Sequence, residues 1–297
     1  MAPWTTDELM IVCMAREVEN GDIMAQGLTT PMAIIAYYLA KATHAPEASI
    51  MQLAGNIMVY FNEPQQASIL YNEFKAMENA VHICGQNEVY ETIFKRADSI
   101  VEFFRPGQID KFGNTNNSIV KTGRTVRLPG GFGIPDAAPL YRKTLIYCPR
   151  HERRVFVERV DHIGGLGLNL DGGTSAGREI HIISELGVFR VDGGSGRMRL
   201  MSLHPGVDVE DVVSNTGFEL SIPENIPETP PPTNGDLRLI REKIDPLNIR
   251  RLEFLSGDDR LEALQKILDE ELRIWRPSNV KKQGTADAVM NRSDRGS

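Results

Sequence analysis

The N-terminal part of the chain alternates between helical and extended hydrophobic patterns. Residues 5–20 carry apolar side chains at helical spacing, and the short apolar run 23–27 ends in glycine. A second helical pattern follows, with Pro31 in its first turn, where a missing backbone N–H does no harm. Residues 48–54 are typical of a buried strand. This order predicts parallel strands covered by helices.

The alternation continues towards the C-terminus. Strands are predicted at residues 99–107, 143–148, 154–160, 179–191 and 197–203, with a glycine-rich hairpin turn before the last of them. Helices are predicted at residues 89–97, 210–217, 236–246 and 260–275. The proline-rich residues 223–235 predict an extended surface arm.

The pattern as a whole predicts an α/β protein with an open, mostly parallel sheet covered by helices. We expect one domain at residues 1–255. Residues 256–297 form a C-terminal extension, in which one amphipathic helix precedes a polar tail that we expect to be disordered.

Charge and cysteine content narrow the class of protein. The net charge of -7 disfavours general binding to polyanions, so nucleic acid is not an expected partner. The three cysteines show no CxxC spacing and predict neither a disulfide framework nor a metal site. We expect a cytoplasmic protein, because the N-terminus has no signal-peptide pattern and no apolar stretch is long enough to span a membrane.

Two polar motifs are candidates for chemistry, and each has a structural alternative. The glycine-rich loop is either a tight turn or a set of backbone N–H groups that approach a thioester oxyanion. The side-chain amides between residues 108 and 116, the second motif, either form a turn or orient an acyl group. The loop candidates are Gly130, Gly131, Phe132 and Gly133, and the amide candidates are Gln108, Asn114 and Asn116.

The histidines and arginines within motifs favour structural roles. His44, His151 and His204 lie at no metal-ligand spacing, so we interpret them as hydrogen-bonding residues rather than as bases. The arginines between residues 150 and 159 either bind phosphates or form ion pairs with Glu152 and Glu158, and we favour the ion pairs.

Four segments carry a resemblance to a known family. They are residues 21–46, which end in Thr-His-Ala-Pro; residues 107–118, GQIDKFGNTNNS; the loop LPGGFGIPDAA with the downstream PRHERRVFVERVDHI; and residues 184–246. In this order they resemble the β-subunits of the glutaconate-type family I CoA-transferases. The resemblance implies an open α/β sheet, a homologous α-subunit in a heterodimer or heterotetramer, and an active site between the two subunits.

The resemblance also implies a chemistry, and this chain departs from it. Transferases of the family use a glutamate in the strand after Thr-His-Ala-Pro, because a carboxylate must carry CoA covalently. Alignment places Leu53 at that position, with Ala54 and Gly55 after it, and leucine cannot be a nucleophile. The neighbouring Gln52 is a neutral amide that an extended strand directs to the other face. Gln52, Leu53, Ala54 and Gly55 are therefore candidates for the acyl-CoA pocket only.

Relatives without the glutamate include ring-opening hydrolases of steroid breakdown and decarboxylases of a branched glutaconyl-CoA. The resemblance to this branch implies cleavage of a C–C bond in an acyl-CoA, with CoA present as a thioester substrate and no permanently bound cofactor or metal. Two alternatives stay open: a true CoA-transferase whose carboxylate is supplied elsewhere, and a structural subunit without catalytic residues. A nicotinamide dehydrogenase is disfavoured, because no GxGxxG follows the first strand.

Overall fold

A nine-stranded sheet organises the part of the chain that the computed structural model describes, residues 3–27, 30–54, 57–131, 133–168 and 178–275. Its strands are β1 (Ile23–Gln26), β2 (Ser49–Ala54), β3 (Ile57–Phe61), β4 (Ala80–Gly85), β5 (Ile100–Phe104), β10 (Lys143–Cys148), β11 (Glu179–Ser184), β12 (Gly187–Val191) and β13 (Met198–Leu203). Their spatial order is β13-β12-β11-β10-β5-β1-β2-β3-β4. Two small antiparallel pairs lie outside the sheet: β6 (Gln108–Ile109) with β7 (Thr115–Asn116), and β8 (Ile119–Thr122) with β9 (Arg124–Arg127).

Five adjacent strands of the sheet are parallel, and the strands at both edges are antiparallel. The central run β11-β10-β5-β1-β2 is parallel throughout. Strands β12 and β13 complete one edge, and β3 and β4 complete the other. The predicted open, mostly parallel sheet is therefore confirmed. The near-continuous apolar sequences of β1, β5 and β10 fit this position, because helices and loops cover both faces of a parallel sheet.

Helices cover the two faces of the sheet. They are α1 (Thr6–Arg16), α2 (Pro31–Thr43), α3 (Asn72–Glu78), α4 (Gln86–Arg96), α5 (Ile134–Ala137), α6 (Val209–Asn215), α7 (Asn234–Arg238) and α8 (Gly257–Trp275). A π-helical turn, Leu239–Ile244, continues α7, and a 3-10 helix, Ile249–Glu253, precedes α8. Among the described residues, none of the helices is long and apolar enough to cross a membrane.

The core is divided by the sheet. On one face α1 and α2 form the largest apolar cluster, with Tyr37 and Tyr147 among its fully buried side chains. On the opposite face a smaller cluster combines Met51 and Phe104 of the sheet with Tyr141, which follows α5. The C-terminal helix α8 contributes Ile267 to the larger cluster.

The proline-rich arm runs beside the edge strand β13. The backbone N–H of Thr229 donates to the Leu203 carbonyl at 2.7 Å, and the Leu203 N–H donates to the Pro227 carbonyl at 3.1 Å. The predicted extended arm is confirmed, and it occupies hydrogen-bonding groups that an edge strand would otherwise expose.

Two predicted strands are wrong. Residues 154–160 form turns and bends in which Phe156 makes only an isolated bridge to Ile109, because the neighbouring strand β6 is only two residues long. The apolar alternation there reflects burial, because Phe156 and Val160 are both buried and Phe156 packs against Phe189 of the sheet. Residues 179–191 are two antiparallel strands, β11 and β12, rather than one. Strands β3 and β4 with helix α3 were not predicted, although β3 (IMVYF) is apolar throughout. The predicted tail from residue 276 onwards lies outside the described residues.

Candidate active site at the carboxyl end of the sheet

The order in which the chain adds strands to the sheet reverses at β1, so that β2 and β5 lie on opposite sides of it. From β1 the chain proceeds through α2 to β2 on one side, and it later returns to place β5 on the other side of β1. Helix α2 packs on one face of the sheet, whereas α5 packs on the other. In open α/β sheets, ligands bind beyond the carboxyl ends of the strands at such a reversal. The end of β1, at Gln26 and Gly27, is therefore the position at which a site is expected.

Glu102 lies beside this crevice. Its strand places it in register with Ala25 of β1 and Thr144 of β10, on the face of the sheet that carries α5. The Tyr141 hydroxyl donates a hydrogen bond to the Glu102 carboxylate at 3.1 Å. Burial raises the pKa of Glu102 to about 7, and the hydrogen bond from Tyr141 opposes part of this rise.

The backbone of Gly27 lies close to this carboxyl group. A Cβ atom built on Gly27 would lie 3.2 Å from Glu102 Oε1 and 4.0 Å from Thr30 Oγ1. Any larger residue at this position would crowd the carboxyl group. The glycine that follows β1 therefore leaves room for the Glu102 carboxyl group.

The glycine-rich loop leads into the helix that covers the same face. Gly130 has φ of +106°, which only glycine adopts readily, so this residue serves the turn. Gly131 has an ordinary φ, and an added Cβ would lie 3.6 Å from Pro135. Its carbonyl accepts the Ile134 N–H at the start of α5. Phe132 lies outside the described residues, and Gly133 precedes α5 directly.

The carboxyl end of β2 lies on the other side of β1. Gln52 is in register with Gln26, and both are buried. Gln26 donates to the Thr30 hydroxyl at 2.9 Å. The side-chain oxygens of both amides lack a hydrogen-bond partner among the described residues. The registers place these two amides side by side on neighbouring strands, out of phase with Met51 and Ala25.

The remaining pocket candidates of β2 are described only in part. The backbones of Leu53 and Ala54 form the end of the strand, antiparallel to β3. Gly55 and the side chains of Leu53 and Ala54 lie outside the described residues.

The second polar motif is a network of internal hydrogen bonds. The Gln108 amide donates to Asp161 at 2.9 Å and accepts from Asn116 at 2.7 Å. The Asn114 amide donates to Asp110 and accepts the Gly167 N–H at 2.8 Å. These bonds tie residues 108–116 to the segment 161–167, which supports the turn interpretation.

The motif histidines are structural, as expected. The buried His151 ring bonds to Ser184 and Thr216 and stacks on Phe156, and burial lowers its pKa to about 3. His204 bonds to Thr229 and to the Ser184 carbonyl, with a pKa lowered by burial to about 4. Neither ring is positioned to accept a proton near neutral pH.

The expected ion pairs are present in part. Arg154 pairs with Glu152, and Arg150 lies 4.0 Å from the same carboxylate. Glu158, by contrast, pairs with Lys111 rather than with an arginine of the cluster. The prediction that Glu152 is an ion-pair partner is confirmed, and the corresponding one for Glu158 is wrong.

Comparison with known proteins places this arrangement in a family. The model of the coenzyme A transferase family matches residues 8–215. The chain therefore belongs to the coenzyme A transferase family. It is 28% identical to a 3-oxoadipate CoA-transferase subunit of Pseudomonas knackmussii, across 81% of this chain and 94% of that protein. It is 30% identical to the cholesterol ring-cleaving hydrolase IpdB subunit of Mycobacterium tuberculosis, across 83% of this chain and 96% of the relative.

Solved structures show the same fold. Rhodococcus jostii RHA1 IpdAB superposes with a TM-score of 0.69 at 26% identity, over 86% of this chain and 99% of the matched chain. The decarboxylase AibA/AibB superposes with a TM-score of 0.71 at 24% identity, over 83% of this chain and 97% of the matched chain. The resemblance to the branch with hydrolase and decarboxylase members is thus confirmed.

Glu102 and Tyr141 were not among the residues selected from the sequence. The available signal was a single carboxylate in the otherwise apolar strand IVEFF. A buried acid in such a strand needs a reason. Its position at the chain reversal could be recognised only from the order of the strands.

Proposed function

We propose that this chain is the β-subunit of a two-subunit enzyme that cleaves a C–C bond of an acyl-CoA thioester by hydrolysis or decarboxylation. The observation that carries the proposal is Leu53 at the position of the transferase nucleophile. A leucine cannot form the covalent CoA intermediate that transfer requires. Its relatives include both transferase subunits and a ring-cleaving hydrolase subunit, so the family accommodates both chemistries.

The chemistry of C–C cleavage needs a sink for negative charge. When the bond breaks, the electron pair on the carbon beside the thioester is delocalised onto the thioester oxygen. Backbone N–H groups aimed at that oxygen stabilise the enolate. The loop at residues 130–133 is the proposed source, since it joins the face of the sheet that carries Glu102. The end of β2, from Gln52 to Gly55, is the proposed wall of the acyl pocket.

A CoA-transferase reaction is the second candidate, and Glu102 is the observation that favours it. It is a carboxyl group in the middle of β5, paired with Ala25 of β1, the strand at whose end the site is expected. A carboxylate supplied by β5 instead of β2 would still satisfy the chemical requirement for a covalent carrier.

Product analysis on the purified two-subunit complex separates these reactions. With 3-oxoadipyl-CoA and succinate, hydrolytic cleavage of the C–C bond gives succinate and acetyl-CoA, whereas CoA transfer gives 3-oxoadipate and succinyl-CoA. With glutaconyl-CoA and acetate, decarboxylation gives CO₂ and crotonyl-CoA, whereas transfer gives glutaconate and acetyl-CoA. We expect a cleavage product from one of these probes. Succinyl-CoA or glutaconate as the main product, with CoA bound covalently to Glu102, would establish the transferase instead.

An exposed apolar surface supports the proposed α-subunit partner. Edge strand β4 exposes Val81 and Ile83 by 63% and 50%, and Phe74 of the adjacent α3 is 61% exposed. An apolar edge strand is a usual site of protein association. Coexpression with the α-subunit and size-exclusion chromatography test this surface. Ile83→Glu is expected to weaken the complex, whereas Leu261→Glu, on α8 and 64% exposed, serves as the matched control.

A further inference from the structure

We propose that Glu102 is a catalytic acid–base residue of this chain, which exchanges a proton with the carbon that carries the charge of the thioester enolate (the α-carbon) or dienolate (the γ-carbon), and that Tyr141 positions its carboxyl group. The inference rests on the proposed function, because it assigns the proton transfer that C–C cleavage requires. It concerns a strand different from the one that carries the transferase nucleophile.

The position of Glu102 in the sheet supports this role. The carboxyl group lies at the chain reversal between β1 and β5, where the fold provides a crevice for a ligand. Gly27 leaves the side facing the end of β1 without a side chain. The helix that follows the glycine-rich loop packs on the same face. The carboxyl group and the helix that follows the proposed oxyanion donors therefore lie on the same face of the sheet.

The hydrogen-bond partners of Glu102 also support this role. Within the described part of the chain, Tyr141 is the one group that donates a hydrogen bond to it, and no cation pairs with it. A buried carboxyl group that serves only the fold is normally paired or fully hydrogen-bonded. Glu102 keeps acceptor capacity that the described residues do not use, and this capacity is available to a substrate.

The electrostatic surroundings favour proton exchange near neutral pH. With its pKa raised by burial to about 7, the group is populated in both protonation states there. The titratable groups near it are Tyr141 and, from α2, Tyr37; burial and the Glu102 charge raise the pKa of both phenols. Arg178 also reaches this face, where it donates to the Ala138 carbonyl.

The hydrolytic step requires only the substrate, one water molecule and the Glu102 carboxyl group. The Glu102 carboxylate removes a proton from water as the water oxygen bonds to the carbonyl carbon β to the thioester. The C–C bond to the neighbouring carbon then breaks, and its electron pair forms the thioester enolate. Glu102 returns the proton to that carbon, which yields a carboxylic acid and the shortened acyl-CoA. In a decarboxylation, CO₂ departs instead, and Glu102 protonates the resulting dienolate and regains its proton from water.

Deuterium exchange tests the assignment without requiring the natural substrate. The purified complex is incubated in D₂O with acetyl-CoA or crotonyl-CoA, and deuterium incorporation is followed by mass spectrometry. By microscopic reversibility, the group that protonates the enolate also removes a proton from the product. We expect exchange with at least one probe, and Glu102→Gln should slow it by about a hundredfold or more.

The pH profile separates catalysis from a merely structural role. Exchange by the unaltered complex should rise with pH through a midpoint near the pKa of Glu102, about 7. Tyr141→Phe removes a hydrogen bond that lowers this pKa, so the midpoint should move to higher pH. Glu253→Gln, at another buried carboxyl group, should leave the midpoint in place.

The possible results test the role of Glu102 and the proposed function separately. C–C cleavage that persists unchanged in Glu102→Gln, or an absence of exchange with either probe, overturns the role of Glu102. Covalent attachment of CoA to Glu102 also overturns it. Exchange that depends on Glu102, in an enzyme without any cleavage product, supports this inference and overturns the proposed function instead.

Discussion

Each face of the central sheet carries one glutamate near the carboxyl ends of the strands, and the two have different surroundings. On the α2 face, Glu253 accepts the Met32 N–H and the Tyr147 hydroxyl, each at 3.0 Å. Arg105 lies 3.1 Å from its other oxygen. These contacts attach the segment before α8 to the start of α2 and to the sheet. The carboxyl group of Glu253 is thus occupied by the fold itself.

Glu102, on the α5 face, has one described hydrogen-bond donor, Tyr141, and lies close to Gly27, which carries no side chain. Both glutamates have pKa values raised by burial. Of the two, Glu253 alone has a cation among the described residues to oppose the effect. A raised pKa therefore does not by itself separate a carboxyl group held by the fold from one proposed to react. The number and kind of partners do.

The largest expected effect concerns the loop beside Glu102. Gly131→Val should lower turnover about a hundredfold, a loss of roughly 3 kcal/mol of transition-state stabilisation, because its side chain would fill the space of the substrate. The melting temperature should change little, since a Cβ there makes only ordinary contacts. Gly130→Ala is the reference for a turn glycine and should destabilise the complex, because φ is +106°. Normal turnover in Gly131→Val would remove the loop from the active site.

On the opposite face, Glu253→Gln should mainly affect stability. The substitution leaves Arg105 without its carboxylate and weakens the bonds from Tyr147, which should cost about 2–3 kcal/mol. For a chain of this size that corresponds to a melting temperature lower by roughly 5 °C. Calorimetry on the complex measures the effect. A stability equal to that of the unaltered protein would contradict the structural role given to Glu253.

The pH dependence of stability separates Glu102 from the other acids. Its pKa is raised from 4.5 to about 7 on folding, so between these values the folded state holds a proton that the unfolded state has lost. Stability therefore decreases as pH rises through this window, by about 2 kcal/mol once solvent access is allowed for. Denaturation curves of the unaltered protein and Glu102→Gln should diverge across this interval. Parallel curves would mean that the Glu102 pKa is not raised.

The smallest expected effect tests whether substrate approaches Glu102 from the side of Gly27. Gly27→Ala places a methyl group about 3.2 Å from Oε1 and should slow deuterium exchange about tenfold by displacing the carboxyl group. Gly193→Ala is the matched control, because its Cβ would meet nothing within 4 Å. Equal exchange rates in the two variants would show that substrate does not approach from Gly27.

Local patterns predicted much of the central sheet. The buried runs of β1, β2, β5 and β10 and the proline at the start of α2 were recognisable, because a parallel strand is apolar throughout and a helix has a fixed apolar period. The pattern failed at residues 154–160, where Phe156 is buried against the face of the sheet and not as a member of a strand. Alternation reports which side chains are buried, but it does not identify the element that buries them.

The candidate site likewise has features that the sequence identified and others that only the structure brought together. The sequence by itself determined the family resemblance, the apolar residue at position 53 and the glycine-rich loop, since each depends only on residue identity and local order. Only the tertiary structure brought Glu102, Gly27 and Tyr141 together. These residues are far apart along the chain, and their meeting depends on β5 returning to the side of β1 opposite to β2. Strand order is decided by packing between distant segments, which no local pattern of residues encodes.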